Sequence, residues 1–344
     1  MEIDFDRTFW YLEEEEMQNE YYFGIDIGGT ITKIGLVDKQ GNVYDKRIFA
    51  TSDFNSKQKL LKCIVESINE ISNRNLNRKE RIKGIGIGVP GLVNFNEGLI
   101  YNLTNLSGWK NVKITEILKK QTGVPVLVDN DVNVIALGEY MFGAGRGTAN
   151  MICLTLGTGI GGGLIISGKL YRGSSYSAGE IGHFPINKKG PLCNCGSRGC
   201  LERYIGNKYF VKQVIKEIKS NPAKSKILKL AGNSFNKITP EIIAQAAEKG
   251  DNLAKAAWEE MAFKLGMVLA GVINIFNPGV IVIGGGMAEA GKVLFEPLKT
   301  TIEKFSLKIP CRTVKIRKAR LGNEGGIIGA ASLFFNKNLR LNIV

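Results

Sequence analysis

The sequence predicts an α/β protein of two lobes built to one plan, and three observations carry that prediction. Two distant stretches, IDIGGTITKIGLV and LTLGTGIGGGLII, both read as an alternating strand, a glycine tip and a second strand. Continuous apolar runs such as VPVLV and VIVIG end in polar or glycine residues and pass into helical patterns, as buried strands of α/β proteins do. A chain of 344 residues is also long for one core.

Composition narrows the function classes. The hydrophobic content of 44% is that of an ordinary soluble protein. No apolar run is long enough to span a bilayer, and the N-terminus lacks a basic region followed by an apolar core. We therefore expect a cytoplasmic protein with reduced thiols and no membrane partner. Cys63, Cys153 and Cys311 lie in apolar, periodic contexts and read as core. The formal charge of +14 invites a nucleic-acid reading, but lysine and arginine are dispersed without the aromatic interleaving of a single-strand groove. The charge fits solvated faces that favour an anionic ligand, and no nucleic-acid partner is expected.

In chain order, residues 1–20 form an acidic prefix with a run at Glu13–Glu16. The first hairpin carries Gly28 and Gly29 at its tip. A dinucleotide or Walker loop would open a helix after its glycines, whereas here a strand follows from Thr32, which excludes both motifs. Such a tip can still cradle phosphate through backbone amides and the hydroxyls of Thr30 and Thr32, with Asp26 placed to hold magnesium through water. Taken alone, it is equally an ordinary hairpin turn. Lys57–Ile71 has helical spacing, and IKGIGIGVPG is a strand so rich in glycine that something else should approach its backbone closely. A polar loop is expected over Tyr101–Trp109, offering Asn102, Thr104 and Asn105.

VPVLVDNDVN runs a buried strand into Asp129, Asn130 and Asp131 ahead of a helix over about 132–142. Strand ends are where α/β proteins place their sites. These residues also serve as N-caps, but one cap suffices and a carboxylate is left over. We read Asp131 as a general base. The second hairpin tip, Gly157, Thr158 and Gly159, matches the first, so two phosphate-gripping hairpins imply one nucleotide held between two lobes. Helices are expected over 209–220, 239–249 and 252–276. Gly284, Gly285 and Gly286 then form a third tip, on which an adenine ring could lie flat or a plain strand-to-helix turn could form. A strand over 314–319 and a closing helix complete the chain.

The stretch AGEIGHFPINKKGPLCNCGSRGCLE holds the only histidine, His183, with Cys193, Cys195 and Cys200. Three thiolates and one imidazole fill a tetrahedral zinc shell and leave no position for water, so the site would be structural. Glu180 and Glu202 flank these ligands and would be fixed by a closed knuckle, forming a polar platform for a hydroxyl-rich ligand.

These segments, DIGGT, GVPG, VDNDVN, GTGIGGG, EIGH, CNCGSRGCLE and IGGG, resemble the ROK family of sugar kinases and sugar-responsive repressors. That family lies within the actin-like, hexokinase-like (ribonuclease H-like) ATPase superfamily, and the resemblance runs from about Tyr21 to Phe335. It implies a small N-terminal lobe of 21–133 plus 323–344 and a larger lobe of 134–322, with a nucleotide and sugar cleft between them. It implies that Asp131 deprotonates a sugar hydroxyl, and that Asn130, Glu180, His183 and Glu202, with Gly91 and Asn105, bind the sugar. His183, Cys193, Cys195 and Cys200 would bind zinc. Asp26, Gly28, Gly29, Thr30, Thr32 and Lys33, with Gly157, Thr158, Gly159 and Gly284–Gly286, would hold ATP and magnesium. Family members are usually homodimers or homotetramers.

Glucose at the 6-hydroxyl is the leading acceptor, ahead of N-acetylmannosamine, N-acetylglucosamine and fructose. Leu92 stands where N-acetylmannosamine kinases can carry Arg, and Asp129 stands where glucokinases of the family often carry Glu. A repressor would need a helix-turn-helix ahead of the first hairpin, for which twenty residues are too few, and a DNA-binding role is not expected.

Overall fold

Alternation of apolar residues sets the strands, and the computed structural model describes residues 20–335 apart from 55, 77–80, 104, 105, 107 and 221–224. The chain divides into two units, one running to Gly138 and resuming at Asn323, the other Glu139–Gly322.

In the first unit, β1 (Tyr21–Ile27), β2 (Ile31–Asp38) and β3 (Val43–Ala50) form an antiparallel meander. β4 (Ile82–Val89) follows, then β5 (Leu92–Asn94), β6 (Leu99–Asn102), β7 (Val112–Lys113) and β8 (Val126–Asn130). The main sheet has the order β3-β2-β1-β4-β8, with β4 parallel to β1 and β8 parallel to β4. α1 (Lys57–Asn75) is capped by the Ser56 side chain and buries Leu60, Ile64, Ile68 and Ile71 against this sheet's core.

The glycine-rich strands have the close neighbour that their composition predicts. A Cβ on Gly24 would stand 1.8 Å from the Ile327 carbonyl oxygen, and one on Gly86 would stand 1.8 Å from that of Ala330. The closing helix (Gly325–Ala331) thus lies backbone-to-backbone on β1 and β4. Its own Gly329 similarly meets the Val134 carbonyl of α3 (Asp131–Met141).

The second unit repeats the pattern. β9 (Met151–Leu156), β10 (Ile160–Ile166), β11 (Lys169–Tyr171), β12 (Val280–Gly284) and β13 (Lys315–Lys318) make a sheet of order β11-β10-β9-β12-β13. Its pairings run antiparallel, antiparallel, parallel, parallel, as in the first sheet. α4 (Asn207–Ser220), α5 (Pro240–Glu248), α6 (Asn252–Phe276) and α7 (Lys292–Phe305) build its helical layer. α6 is the centre of that layer: Asp251 caps it, Asn277 ends it in the left-handed region, and Trp258, Leu265, Leu269 and Ile273 are buried along it. Glu139 is buried and accepts hydrogen bonds from the amides of Ala144 (2.7 Å), Arg320 (2.9 Å) and Leu321 (2.8 Å). One carboxylate therefore ties together the segments by which the chain enters and leaves this unit.

Three elements were not legible in the sequence. β5, β6 and β7 are two to four residues long, too short for alternation to show, so Tyr101 and Asn102 belong to β6 rather than to a loop. α2 (Ile114–Thr122) was also unread, whereas α7 is the helix into which the third glycine tip leads. Among the described residues no helix is long and apolar enough to cross a membrane.

Gly86→Ala is expected to lower the free energy of unfolding by about 3 kcal/mol, because its methyl group meets helix backbone that cannot move aside. Urea titration followed by circular dichroism measures this, and an unchanged midpoint would contradict the close packing.

Candidate active site and metal cluster

At the first hairpin tip, Asp26 is the side chain with chemical potential. Burial pushes its carboxyl above its ordinary value of 3.8, and the Lys33 ammonium opposes the shift. The carboxylate rests against the closing helix: a Cβ on Gly326 would stand 2.4 Å from Asp26 Oδ2. Lys33 Nζ donates to the Asn323 carbonyl (3.0 Å) at the approach to that helix. The predicted role of the Thr32 hydroxyl needs correction. Thr32 is fully buried, with its Oγ1 2.8 Å from Thr51 Oγ1, which in turn donates to the Gly28 carbonyl (2.8 Å). Strand alternation turns Thr32 inward, whereas Thr30, two residues before it and outside the strand, is exposed. The Gly28 amide is likewise spent, donating to the Ile31 carbonyl at 2.9 Å.

The turn from β8 into α3 separates capping from chemistry. Asn130 Oδ1 accepts from the amides of Val132 (2.9 Å) and Asn133 (3.2 Å), so Asn130 caps the helix. Its Nδ2 donates to the Gly91 carbonyl at 3.2 Å, which brings two of the predicted sugar-binding positions together. Asp131 opens the helix half-buried, and its Oδ1 accepts from the Val132 amide at 2.9 Å. Asp129, read in the sequence only as a departure, is buried and accepts from the Asn130 amide (2.8 Å) and Asn133 Nδ2 (2.9 Å). It braces the turn, a role that burial reveals and residue type does not. Asn105 lies outside the described residues.

In the second unit, the tip is closed by Gly157 donating to the Gly159 carbonyl (3.0 Å), and Glu202 Oε2 accepts from the Ile160 amide (3.0 Å). Glu202 thereby joins this hairpin to the cysteine cluster. His183 Nδ1 lies 3.6 Å from Cys193 Sγ, and Cys195 Sγ lies 3.7 Å from Cys200 Sγ, with all four ligand atoms within 4.8 Å of one another. Bonds of about 2.0–2.3 Å to a central zinc give a tetrahedron with edges of about 3.4–3.8 Å, so the donor set suits this ion and the 3.6 Å and 3.7 Å separations match its edges. The knuckle's return is tight: Gly199 has φ +67°, and a Cβ there would stand 1.8 Å from the Asn187 carbonyl. The Ser197 backbone holds the Cys195 thiol below its ordinary value. His183 Nε2 points outward, 3.8 Å from Glu180 Oε2. Burial raises the Glu180 carboxyl, with His183 opposing and Glu202 adding to the shift, so the three groups share one field.

At the third tip, Gly285 has φ +84° and its α-carbon lies against the Leu156 carbonyl, where a Cβ would come within 2.3 Å. Gly286, Glu241, Gln245, Glu248 and Trp258 line a cavity of about 150 Å³, and the buried Trp258 indole N–H has no hydrogen-bond partner among the described residues. Gly284 lies inside β12, so the turn itself falls to Gly285 and Gly286.

Residues 22–337 match the family profile described as the ROK family. The chain belongs to the ROK family. The glucokinase of Thermotoga maritima is 36% identical to it over 90% of this chain and 96% of that protein. The crystal structure of a ROK family glucokinase from Streptomyces griseus in complex with glucose and AMPPNP superposes with a TM-score of 0.78 at 32% identity, covering 91% of this chain and 98% of that one. The xylose repressor of Caldicellulosiruptor bescii is 32% identical over 92% of this chain and 78% of its own length. The fold is the actin-like, hexokinase-like α/β ATPase fold that the sequence motifs imply.

Asp26 gives a prediction with a definite sign. Its folded pKa lies above the unfolded value, so the charged form costs stability at neutral pH, and the cost vanishes as pH falls below 3.8. Asp26→Asn should therefore raise the melting temperature of the ligand-free protein at neutral pH, by a margin that shrinks towards pH 4. An equal or lower melting temperature at pH 7 would contradict the burial argument.

Proposed function

We propose that this ROK-family chain is an ATP-dependent glucokinase that phosphorylates glucose at its 6-hydroxyl, with Asp131 as general base. The observation that carries the reading is the division of labour at 129–133. Asn130 caps the helix and Asp129 braces the turn, while the Asp131 carboxylate stands at the first residue of the helix. A carboxylate held at the start of a rigid helix, where it accepts from a backbone amide, suits proton removal from a hydroxyl.

The sugar ligands are Gly91, Asn105, Asn130, Asp131, Glu180, His183 and Glu202. Asn130 offers its amide beside the Gly91 carbonyl. Glu180 and Glu202 accept from sugar hydroxyls, and their mutual repulsion is relieved as those hydroxyls donate to them. As the 6-oxygen attacks the γ-phosphorus of ATP, Asp131 takes the hydroxyl proton and ADP leaves with the bridging oxygen. The hairpin tips, Gly29–Thr30 with Lys33 in the first unit and Gly157–Gly159 in the second, position the phosphates. Gly284–Gly286 and the adjoining cavity receive the adenine, with the Trp258 N–H as an unused donor. Magnesium would be held through Asp26, whose raised carboxyl gains from a cation, and it supplies charge neutralisation on the phosphates. Zinc would be held by His183, Cys193, Cys195 and Cys200 and fixes the platform bearing Glu180 and Glu202. The protein acts in the cytoplasm as a homodimer or homotetramer, with neither nucleic acid nor membrane as partner.

Asp131→Asn should keep glucose affinity within a few-fold while lowering kcat by about 10²–10⁴, the usual worth of a general base. Steady-state kinetics with a separate binding measurement read both, and turnover near that of the parent would remove Asp131 from the role. Cys195→Ser should lose the metal, seen by elemental analysis, and should weaken glucose binding through Glu180 and Glu202. Full glucose affinity in the metal-free variant would defeat the platform.

A further inference from the structure

The cysteine cluster carries an asymmetry that the proposed sugar chemistry does not use. Of the chain's six cysteines Cys195 alone is exposed, whereas its fellow ligands Cys193 and Cys200 are 3% and 0% exposed. Cys195 stands on a turn in open space: Gly196 beside it has φ +91°, and a Cβ there would meet nothing within 4 Å. Residues 181–201 contain Lys188, Lys189 and Arg198, all exposed, and no acid. A thiolate that is accessible and set among cations is the kind that oxidants attack first.

A second thiol lies within its reach. Cys195 Sγ is 3.7 Å from Cys200 Sγ, so an approach of about 1.7 Å brings the two sulfurs to bonding distance. Cys193 stands instead beside the His183 ring, its Sγ 3.6 Å from Nδ1. Cys200 is the fixed member of the pair. Its backbone bridges Pro185, its carbonyl accepts from the Arg203 amide at 3.0 Å, and the following amide, of Leu201, donates to the Phe184 carbonyl at 2.9 Å. The approach therefore falls to Cys195 on its exposed turn.

We propose that Cys195 is a site of reversible oxidation by hydrogen peroxide, with Cys200 as its resolving partner, and that closure of their disulfide expels the zinc. The Cys195 sulfur attacks one peroxide oxygen; an S–O bond forms as the O–O bond breaks, and hydroxide leaves. Cys200, a thiolate when it serves as a metal ligand, then attacks the sulfenyl sulfur, forming the S–S bond and displacing a second hydroxide. The two sulfurs together lose two electrons, the peroxide gains them, and two protons from solvent turn both hydroxides into water. His183 and Cys193 remain, half of a tetrahedral shell, which does not hold the ion. The His183 ring, 3.8 Å from Glu180 Oε2, then loses its anchor, whereas Glu202 keeps the Ile160 amide. The step presupposes that the cluster holds zinc, as proposed above.

The test titrates the full, zinc-loaded chain with hydrogen peroxide while a chromogenic chelator records the metal released. Release of about one zinc ion per chain is expected, with a Cys195–Cys200 disulfide in the peptide map, and thiol reductant with added zinc should restore the starting state. Changing Lys188, Lys189 and Arg198 together to Gln touches no ligand and should slow release by about 5-fold, because the thiolate loses its cationic surroundings. Cys311→Ser should leave the release rate unchanged. Zinc retained at a peroxide concentration that oxidises Cys311 would overturn the oxidation site alone. So would release accompanied only by sulfinic acid at Cys195, or by a disulfide from Cys195 to Cys193. A chain that takes up no zinc under reducing conditions would overturn the zinc reading, and this site with it.

Discussion

The contact on which the first unit depends is backbone against backbone: the closing helix laid on β1 and β4 with no side chain between. Gly24 and Gly86 make it possible from the sheet and Gly329 from the helix towards α3. Its consequences reach the chemistry. Gly326 of the same helix gives the Asp26 carboxylate its place, and the Asn323 carbonyl just before it anchors Lys33. Through Val134 it also fixes α3, whose first residue is Asp131. Interiors are packed densely enough that a shift of a few tenths of an ångström here would be transmitted to both carboxylates.

The second unit uses the same sheet order for a different end. Where the first sheet's hairpin tip adjoins the half-buried Asp26 carboxylate, the second is joined through Glu202 to a cluster of three thiols and one imidazole. Both flanking carboxylates adjoin that cluster: Glu202 accepts from the Ile160 amide, and Glu180 Oε2 lies 3.8 Å from His183 Nε2. Stability is spent at the first of these places. Asp26 carries a carboxyl raised by burial, an arrangement that costs free energy in the empty protein and that a bound cation would offset.

Much of this was legible in the residues because the constraints were local. Glycine in every second position of IKGIGIGV announces close backbone approach, and the histidine and cysteine spacing announces a tetrahedral cluster. The excess of polar groups in Asp129–Asn130–Asp131 pointed to a carboxylate beyond capping needs, although only the hydrogen bonds show that Asn130 is the cap and Asp129 the brace. What was not legible depends on direction or on distant partners. The Thr32 hydroxyl turns inward because it sits at an inward-facing position of β2 beside Thr51, a neighbour nineteen residues away. The strands β5 to β7 are set by pairing with one another and are too short to show a period of two. The buried Glu139 serves two segments far apart in the chain, at Ala144 and at Arg320–Leu321, which no local pattern can reveal.

Transfer of a phosphoryl group from ATP to glucose by this chain is measured most directly in a coupled assay of ADP release. With magnesium and zinc present, glucose is offered beside mannose, fructose, N-acetylglucosamine and N-acetylmannosamine. The highest kcat/KM is expected on glucose. ADP release no faster than the sugar-free rate with every sugar would contradict it, and a clear preference for an acetamido sugar would keep the reaction but overturn the acceptor.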